Sequence, residues 1–171
     1  MPKKIKALKF RRVPFICDGT TKAFAHCPTM KELIVEANIK NLDEVIDFFY
    51  GELERNACPS ELLNNIVLAV EEVFVNIVNY AYQPSSGSVA LSIDVGREAV
   101  LRFEDIGKPY NPLDHPDPDL NKPLMEREIG GLGIFLVKTI MDKVDYMRID
   151  NKNVLVMTKK LSEPTPYRTH C

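Results

Sequence analysis

The sequence of 171 residues lacks an excess of charge of either sign. It contains 22 Lys and Arg against 24 Asp and Glu, which leaves a net charge of −2. Proteins that bind nucleic acid through bulk charge carry a basic surplus, so this balance argues against direct nucleic-acid binding. The first twelve residues nevertheless hold six Lys and Arg and no acid. We interpret that run as a solvated or partner-binding arm.

Long apolar runs and paired cysteines are also missing. No stretch reaches the roughly 18–20 apolar residues that span a bilayer, and the basic start is not followed by the apolar region of a signal peptide. The four cysteines form neither a CxxC pair nor a zinc-ligand spacing, which argues against cysteine-bound metal. We therefore expect a cytoplasmic protein with reduced thiols and no membrane contact.

The apolar pattern predicts one folded domain between two less regular ends. Residues 1–29 show no clear periodicity and are predicted to be an N-terminal extension. A regular pattern starts at Met30, which we expect to begin the folded domain, and residues 162–171 are typical of a tail. With 45% hydrophobic residues in the chain, residues 30–161 are long enough for one hydrophobic core.

The predicted elements run strand, helix, helix, strand, strand, loop, helix, strand, strand. Alternation predicts strands at 31–37, 88–95, 99–104, 144–149 and 154–160, and helical spacing predicts helices at 41–55, 60–82 and 134–141. Asn41 stands three residues before Glu44, which predicts a capping box for the first helix. Because the helices are clustered, we predict an α+β fold: a two-layer sandwich with helices on one face of a mostly antiparallel, mixed sheet.

The second helix carries a polar stripe opposite its apolar face. At about 100° per residue, a set of polar side chains falls within roughly 60° of one another: Asn65, Glu72, Asn76 and Asn79. Asn is a poor helix former, and solvent-facing stripes usually contain Glu, Lys or Arg. A carboxylate and a carboxamide at i and i+4 can both reach one ligand. The stripe is therefore either a solvent-exposed helix face or part of a ligand-binding site.

Two further motifs follow along the chain. Asp105 ends a predicted strand and precedes Gly107 by two residues, which offers a carboxylate beside accessible backbone for the amino edge of a purine. An ordinary Asp-containing turn has the same pattern. Later, Gly130-Gly131-Leu132-Gly133 opens a helix, where backbone N–H groups favour phosphate. This glycine run completes neither a Rossmann nor a P-loop pattern.

In this order the motifs resemble the Bergerat-type ATP-binding signature of the GHKL (histidine kinase-like) ATPases. The signature consists of ExxxN on a helix (Glu72, Asn76), DxG after a strand (Asp105, Gly107) and GxG before a helix (Gly131, Gly133). The stretches AVEEVFVNIVNYAY, DIGKPYNP and GGLGIFLVKTIMDKVDY resemble more closely the small anti-sigma factor serine/threonine kinases. This resemblance covers residues 30–161 and implies the Bergerat-type ATP-binding fold.

The resemblance implies a role for each motif residue. Glu72 matches the catalytic glutamate, the general base for a serine hydroxyl, and Asn76 matches the Mg²⁺-binding asparagine. Asp105 matches the adenine-binding aspartate, with Gly107 beside it. The proline-rich loop over residues 111–129 matches the lid over the nucleotide. The other predicted nucleotide-binding residues are Asn79, Gly131, Leu132, Gly133 and Arg127, the last as a candidate contact to the terminal phosphate.

The resemblance therefore implies a serine/threonine-protein kinase that uses ATP and Mg²⁺ to phosphorylate a STAS-domain anti-anti-sigma protein. It further implies transcription regulation through a sequestered sigma factor, and a homodimer. Two alternatives stay open: an ATP-binding partner-switching regulator without kinase activity, and a histidine kinase-like ATPase module in another signalling pathway. Glu72 argues against the first, because a pure ATP binder needs no base at that position.

Overall fold

The computed structural model of the chain describes residues 15–17, 20–22, 30–114, 116, 118 and 131–161. The strands are β1 Phe15–Cys17, β2 Thr20–Lys22, β3 Lys31–Glu36, β4 Ser88–Val95, β5 Glu98–Asp105, β6 Lys143–Ile149 and β7 Lys152–Lys160. The helices are α1 Leu42–Arg55, α2 Ser60–Asn76 and α3 Leu132–Ile140. Short 3-10 turns lie at Ile39–Asn41 and Pro112–Asp114. Among the described helices, none has the length and apolar character needed to cross a membrane.

The larger sheet contains strands β3 to β7 in the order β3-β4-β5-β7-β6. Every neighbouring pair in it is antiparallel, so the predicted α+β class is confirmed, with an antiparallel rather than a mixed sheet among the described strands. Among the strands that the structure describes, β1 and β2 pair only with each other. They lie in the stretch predicted to lack regular structure, because strands of three residues are too short to show a period of two.

The hydrophobic core lies between one face of this sheet and the helices. β4 and β5 alternate between buried and partly exposed residues, so their apolar side chains share the face that the helices cover. Phe49 of α1 stacks on Phe103 of β5 with ring centroids 5.4 Å apart. The apolar stripe predicted for α2 is confirmed. Its buried members are Leu63, Ile66, Ala69, Val70, Val73 and Phe74.

The start of α1 differs from the predicted capping box. Asn41 makes no side-chain cap, and its amide instead donates to the Glu36 carbonyl at 3.0 Å. The cap lies three residues earlier, where the Asn38 side-chain oxygen accepts from the Lys40 N–H at 3.0 Å. The 3-10 turn between the two asparagines moves the capping position, and Asn41 ties the helix start back to the end of β3.

α2 widens at its C-terminal end into a π-helical turn, Ile77–Ala81. Hydrogen bonds in a π-helix run from i to i+5, so each residue advances by a smaller angle than in an α-helix. The 100° phase used to align the polar stripe therefore applies only up to Asn76. Side chains after that residue rotate away from the positions that the sequence predicted.

The β6–β7 hairpin has a two-residue turn at Asp150-Asn151. Both residues have positive φ, 48° and 62°, which is typical of a type I′ turn. The strand predicted at 154–160 therefore starts two residues earlier than expected, because β7 already begins at Lys152. Asn153 belongs to the strand, where it lies opposite Arg148 of β6.

Tyr82 joins the end of the π-helical turn to two strands. Its ring lies against Gly87, where a Cβ atom would overlap the ring carbons. Its hydroxyl donates to the Ser88 carbonyl at 2.6 Å and accepts from the Ile106 N–H at 3.0 Å. The start of β4 and the end of β5 thus depend on one buried phenol.

We expect Tyr82→Phe to lower the free energy of unfolding by about 1–3 kcal/mol, because it leaves the Ile106 N–H and the Ser88 carbonyl without their partner. Tyr80→Phe is the matched control: because Tyr80 is 54% exposed, this variant should lose little free energy of unfolding. Urea denaturation of both variants measures the difference. Equal losses in the two variants would contradict the role assigned to the Tyr82 hydroxyl.

Candidate functional site

A pocket open to solvent lies between the end of α2, the loop after β5 and the strands β5, β6 and β7. Apolar side chains form most of its wall: Val73, Ile77, Ala81, Phe103, Pro112, Ile134 and Leu155. The polar lining residues are Asn76, Asp105, Tyr110, Tyr146 and Asn153. An apolar cleft with a few convergent polar groups is the common form of a small-molecule site.

Strand register places three polar side chains in one line beside the pocket. Asn153 of β7 lies opposite Asp105 of β5 and also opposite Arg148 of β6. Directly opposite residues of antiparallel strands share a face, and this face also carries Phe103 and Leu155 of the core. We call Asp105, Asn153 and Arg148 the polar row.

Asp105 is a buried carboxylate in the pocket wall, only 4% exposed. Its Oδ1 accepts from Asn153 Nδ2 and from the Gly107 N–H, both at 2.8 Å. Burial raises the pKa of Asp105 above its ordinary value, against the lowering effects of these two bonds and of the Arg148 charge. No described residue donates to Oδ2, which therefore offers an acceptor to a ligand.

Gly107 lets the loop after β5 lie directly against the end of α2. A Cβ at this position would overlap the Ala81 carbonyl and side chain. The Lys108 N–H donates to the same carbonyl at 2.9 Å. This close approach requires glycine, so the structure brings the predicted pair Asp105 and Gly107 together at the pocket.

Glu72 lies where α2 packs against α3. A Cβ at Gly133 would overlap Glu72 Oε2, so the carboxylate lies directly on the backbone of the first turn of α3. Gly131 caps that helix with a φ of 79°, a conformation that favours glycine. A carboxylate at a helix N-terminus is electrostatically favoured. The half-buried Glu72 and the glycine run are therefore in contact, and this part of the polar stripe faces α3 rather than open water.

Asn76 is the last residue of α2 and lines the pocket, one helical turn after Glu72. Six other predicted site residues that the structure describes lie outside the lining: Glu72, Asn79, Gly107, Gly131, Leu132 and Gly133. Of these, Asn79 is exposed in the π-helical turn, and Leu132 is 59% exposed at the start of α3. The π-helical turn rotates Asn79 away from the phase of Asn76. Arg127 and most of the predicted lid lie outside the described residues. The roles of these residues stay predictions.

Sequence reasoning missed Asn153, Tyr146 and Arg148. The signal that could have found them was Asp150-Asn151, a pair that accepts positive φ and fixes the hairpin register. With that register, Arg148 and Asn153 must be opposite each other. Tyr110 belongs to the stretch DIGKPYNP, but no role was predicted for it from the sequence. Its ring lies 6.1 Å from that of Tyr80 at the rim of the pocket.

Comparison with known proteins gives three related findings. Residues 35–159 match the histidine kinase-like ATPase domain family. The serine-protein kinase RsbW of Halalkalibacterium halodurans is 30% identical over 146 residues, covering 80% of this chain and 86% of that protein. The serine/threonine-protein kinase BtrW of Bordetella bronchiseptica is 29% identical over 106 residues, covering 61% of this chain and 75% of that protein.

A solved structure of the RsbU and RsbW domains of a Mycobacterium tuberculosis protein is also similar. It matches 79% of this chain with a TM-score of 0.56 and 16% identity. The match spans 34% of that longer chain. At this identity the likeness shows a shared fold, in agreement with the sheet and helices described above.

Asp105→Asn tests the buried charge. Because burial raises the pKa of Asp105, the folded protein keeps this proton to higher pH than the unfolded chain does, so ionisation removes stability as the pH rises from about 4 towards neutrality. Asparagine carries no such proton. In thermal scans without nucleotide, we therefore expect the melting temperature of Asp105→Asn, relative to that of the wild type, to rise as the pH increases across this range. Asp150→Asn, which removes an equal charge at an exposed turn, should show no such gain. A difference between Asp105→Asn and wild type that does not change with pH would contradict the assignment.

Proposed function

Because the chain belongs to the histidine kinase-like ATPase family, among the RsbW-type serine-protein kinases, we propose that it transfers the γ-phosphoryl group of ATP to a serine of a STAS-domain anti-anti-sigma protein. One observation carries the proposal. The pocket has the acceptor Asp105 at one side and Asn76 at another, and Asn76 lies one helical turn from a carboxylate, Glu72.

The base of ATP is proposed to lie in the pocket. Asp105 Oδ2 is oriented as an acceptor, and the 6-amino group of adenine is a donor. The apolar side chains Phe103, Ile134 and Leu155 offer flat contact to the ring. Gly107, which has no side chain, lets the loop after β5 lie against Ala81 and donates its N–H to Asp105 Oδ1, which keeps that carboxylate in the pocket wall.

Asn76 is the proposed Mg²⁺ ligand. Its side-chain oxygen is a hard ligand of the kind that Mg²⁺ prefers, and it lines the pocket. Among the described residues, no group of three or more His, Cys, Asp or Glu could hold a metal by itself. That composition fits an ion that keeps several waters and is bound largely by phosphates. When bound, the ion would offset the charge of the phosphates.

Phosphoryl transfer is proposed to use Glu72 as the base. The serine hydroxyl gives its proton to the Glu72 carboxylate while its oxygen forms a bond to the γ-phosphorus. The bond from that phosphorus to the bridging oxygen breaks, and ADP leaves with the electron pair. Backbone N–H groups at the first turn of α3, next to Gly131 and Gly133, would stabilise phosphate charge. Catalysis then rests on positioning and electrostatics.

We propose further that the kinase sequesters a sigma factor, works as a homodimer and acts in the cytoplasm, where ATP and transcription factors meet. The support for these proposals is the resemblance of the three motif stretches to anti-sigma factor kinases. The names of the related proteins support the kinase activity itself.

We expect Glu72→Gln to slow phosphorylation of the STAS partner by about 100-fold or more, because a positioned general base contributes roughly 10²–10⁴. The measurement is mass spectrometry of partner serines after incubation with Mg-ATP. ATP affinity, followed by calorimetry, should change little. An unmodified partner with wild-type kinase would contradict the activity and favour an ATP-binding regulator, and full activity in Glu72→Gln would contradict the role of the base.

Gly133→Ala tests the contact between α2 and α3. The new methyl group must displace the Glu72 carboxylate, and a misplacement of about 1 Å can cost on the order of 100-fold in rate. We expect that loss in kcat with a much smaller change in ATP affinity. Gly96→Ala is the matched control, since nothing lies within 4 Å of a Cβ at Gly96. Equal rates in the two variants would show that Glu72 does not depend on Gly133.

A further inference from the structure

The geometry of the polar row points to Asn153 as a positioning residue for the base pocket. Arg148 holds Asn153, and Asn153 fixes which oxygen of Asp105 faces the ligand. The pocket therefore selects 6-amino purines over 6-oxo purines. This inference rests on the proposed ATP site and names the determinant of its base selectivity. Asn153 is a strand residue, 6% exposed, that has no part in the mechanism above.

The hydrogen-bonding capacity of Asn153 is used up within the protein. Its Nδ2 donates to Asp105 Oδ1 at 2.8 Å and to the Lys108 carbonyl at 2.9 Å. Its Oδ1 accepts from the Tyr146 hydroxyl at 2.8 Å and from Arg148 Nη1 at 2.7 Å, with the Tyr110 N–H farther away at 3.4 Å. A carboxamide has two donor hydrogens and two lone pairs. Asn153 therefore acts on a ligand only through Asp105.

Arg148 fixes the orientation of this carboxamide. A guanidinium has donors and no acceptor, so a rotated Asn153 would set its NH₂ group against the Arg148 donors and its oxygen against the Asp105 carboxylate. Arg148 also donates to the Gly107 carbonyl at 3.1 Å, which ties the row to the loop after β5. The donor side of Asn153 thus always faces Asp105.

The fixed carboxamide in turn fixes the role of each Asp105 oxygen. Oδ1 is occupied by two donors, Asn153 Nδ2 and the Gly107 N–H, and Oδ2 is left as an acceptor. Adenine offers a 6-amino donor to that acceptor. Hypoxanthine and guanine offer a 6-oxo group, which sets two acceptors against each other and leaves both unpaired.

Without Asn153, the Asp105 carboxyl group would no longer be held as a carboxylate with Oδ1 occupied and Oδ2 facing the ligand. The bond from Asn153 lowers the pKa of Asp105 against the effect of burial, so its loss favours the neutral acid, whose hydroxyl can donate to a 6-oxo group. The charged and titratable groups that face Asp105 are Arg148 from β6, Tyr82 after the π-helical turn, and Tyr110 and Tyr146 in the pocket wall. Of these, only Arg148 carries a charge near neutral pH.

The test compares the affinities of ATP and inosine triphosphate by calorimetry. We expect the wild type to prefer ATP by on the order of 100-fold. Asn153→Leu should reduce this ratio at least tenfold, and more at about pH 6 than at about pH 8, because the neutral acid is more populated at lower pH. Lys152→Leu is the matched control: the same side chain is introduced one residue away, on the opposite face of the strand, where Lys152 pairs with Glu104 at 3.3 Å. Its ratio should stay that of the wild type.

Arg148→Met provides a second variant that does not remove a buried group, since Arg148 is exposed. It removes one of the two side-chain donors that hold Asn153 Oδ1, while the Tyr146 hydroxyl keeps the other, so we expect a smaller fall in the same ratio. Circular dichroism melts of each variant report its folding, so Arg148→Met carries the test if Asn153→Leu melts below the assay temperature.

The outcomes separate this inference from the proposed function. A wild type that binds neither nucleotide would overturn the proposed function and, with it, the selectivity. A wild type that binds both equally would overturn the selectivity while leaving ATP binding intact. If Asn153→Leu and Arg148→Met bind ATP and inosine triphosphate more weakly by the same factor, the affinity ratio is unchanged. Asn153 would then have only a structural role, and the inference would be overturned.

Discussion

The hydrogen bond from Asn153 to Asp105 joins β7 to β5 at the end of the sheet where the pocket opens. It satisfies a buried carboxylate, which would otherwise raise the free energy of the folded state. It also sets the position of the loop after β5, because Asn153 holds the Lys108 carbonyl and Arg148 holds the Gly107 carbonyl. This contact and the two bonds beside it hold the pocket wall together, leave Asp105 Oδ2 as an acceptor and tie the loop after β5 to the sheet.

A second constraint acts on the other side of the pocket, where α2 meets α3. The side chain of Glu72 occupies space that any residue larger than glycine at position 133 would need. α3 can therefore pack closely on α2, and its first turn lies beside the carboxylate. The π-helical turn then carries the chain from Asn76 to Ala81, whose carbonyl receives the Lys108 N–H. Both halves of the site thus converge on the end of α2.

The family and the fold could be predicted from short-range patterns in the sequence. Alternation located the strands of the larger sheet, and helical spacing located the apolar stripe of α2, because both depend on periods of a few residues. The order of ExxxN, DxG and GxG sufficed for the resemblance to the histidine kinase-like ATPases. Details that depend on neighbouring elements were missed. The predicted Asn41 cap was wrong because the Asn41 side chain instead bonds to the Glu36 carbonyl at the end of β3.

The sequence by itself determined the strands of the larger sheet, its three helices and the apolar stripe of α2, and it predicted Glu72, Asn76, Asp105 and the glycines as candidate site residues. Only the tertiary structure decided which polar side chains meet. Asn153 meets Asp105 because β7 pairs with β5, a strand far earlier in the chain, and Arg148 meets Asn153 across the β6–β7 hairpin. The Asp150-Asn151 turn sets the register of β6 and β7, but no local motif encodes the pairing of β7 with β5, which brings Asn153 to Asp105. The position of Asn79 was also decided by the tertiary structure. A regular α-helix would place Asn79 on the same face as Asn76, but the π-helical turn rotates it away from that face.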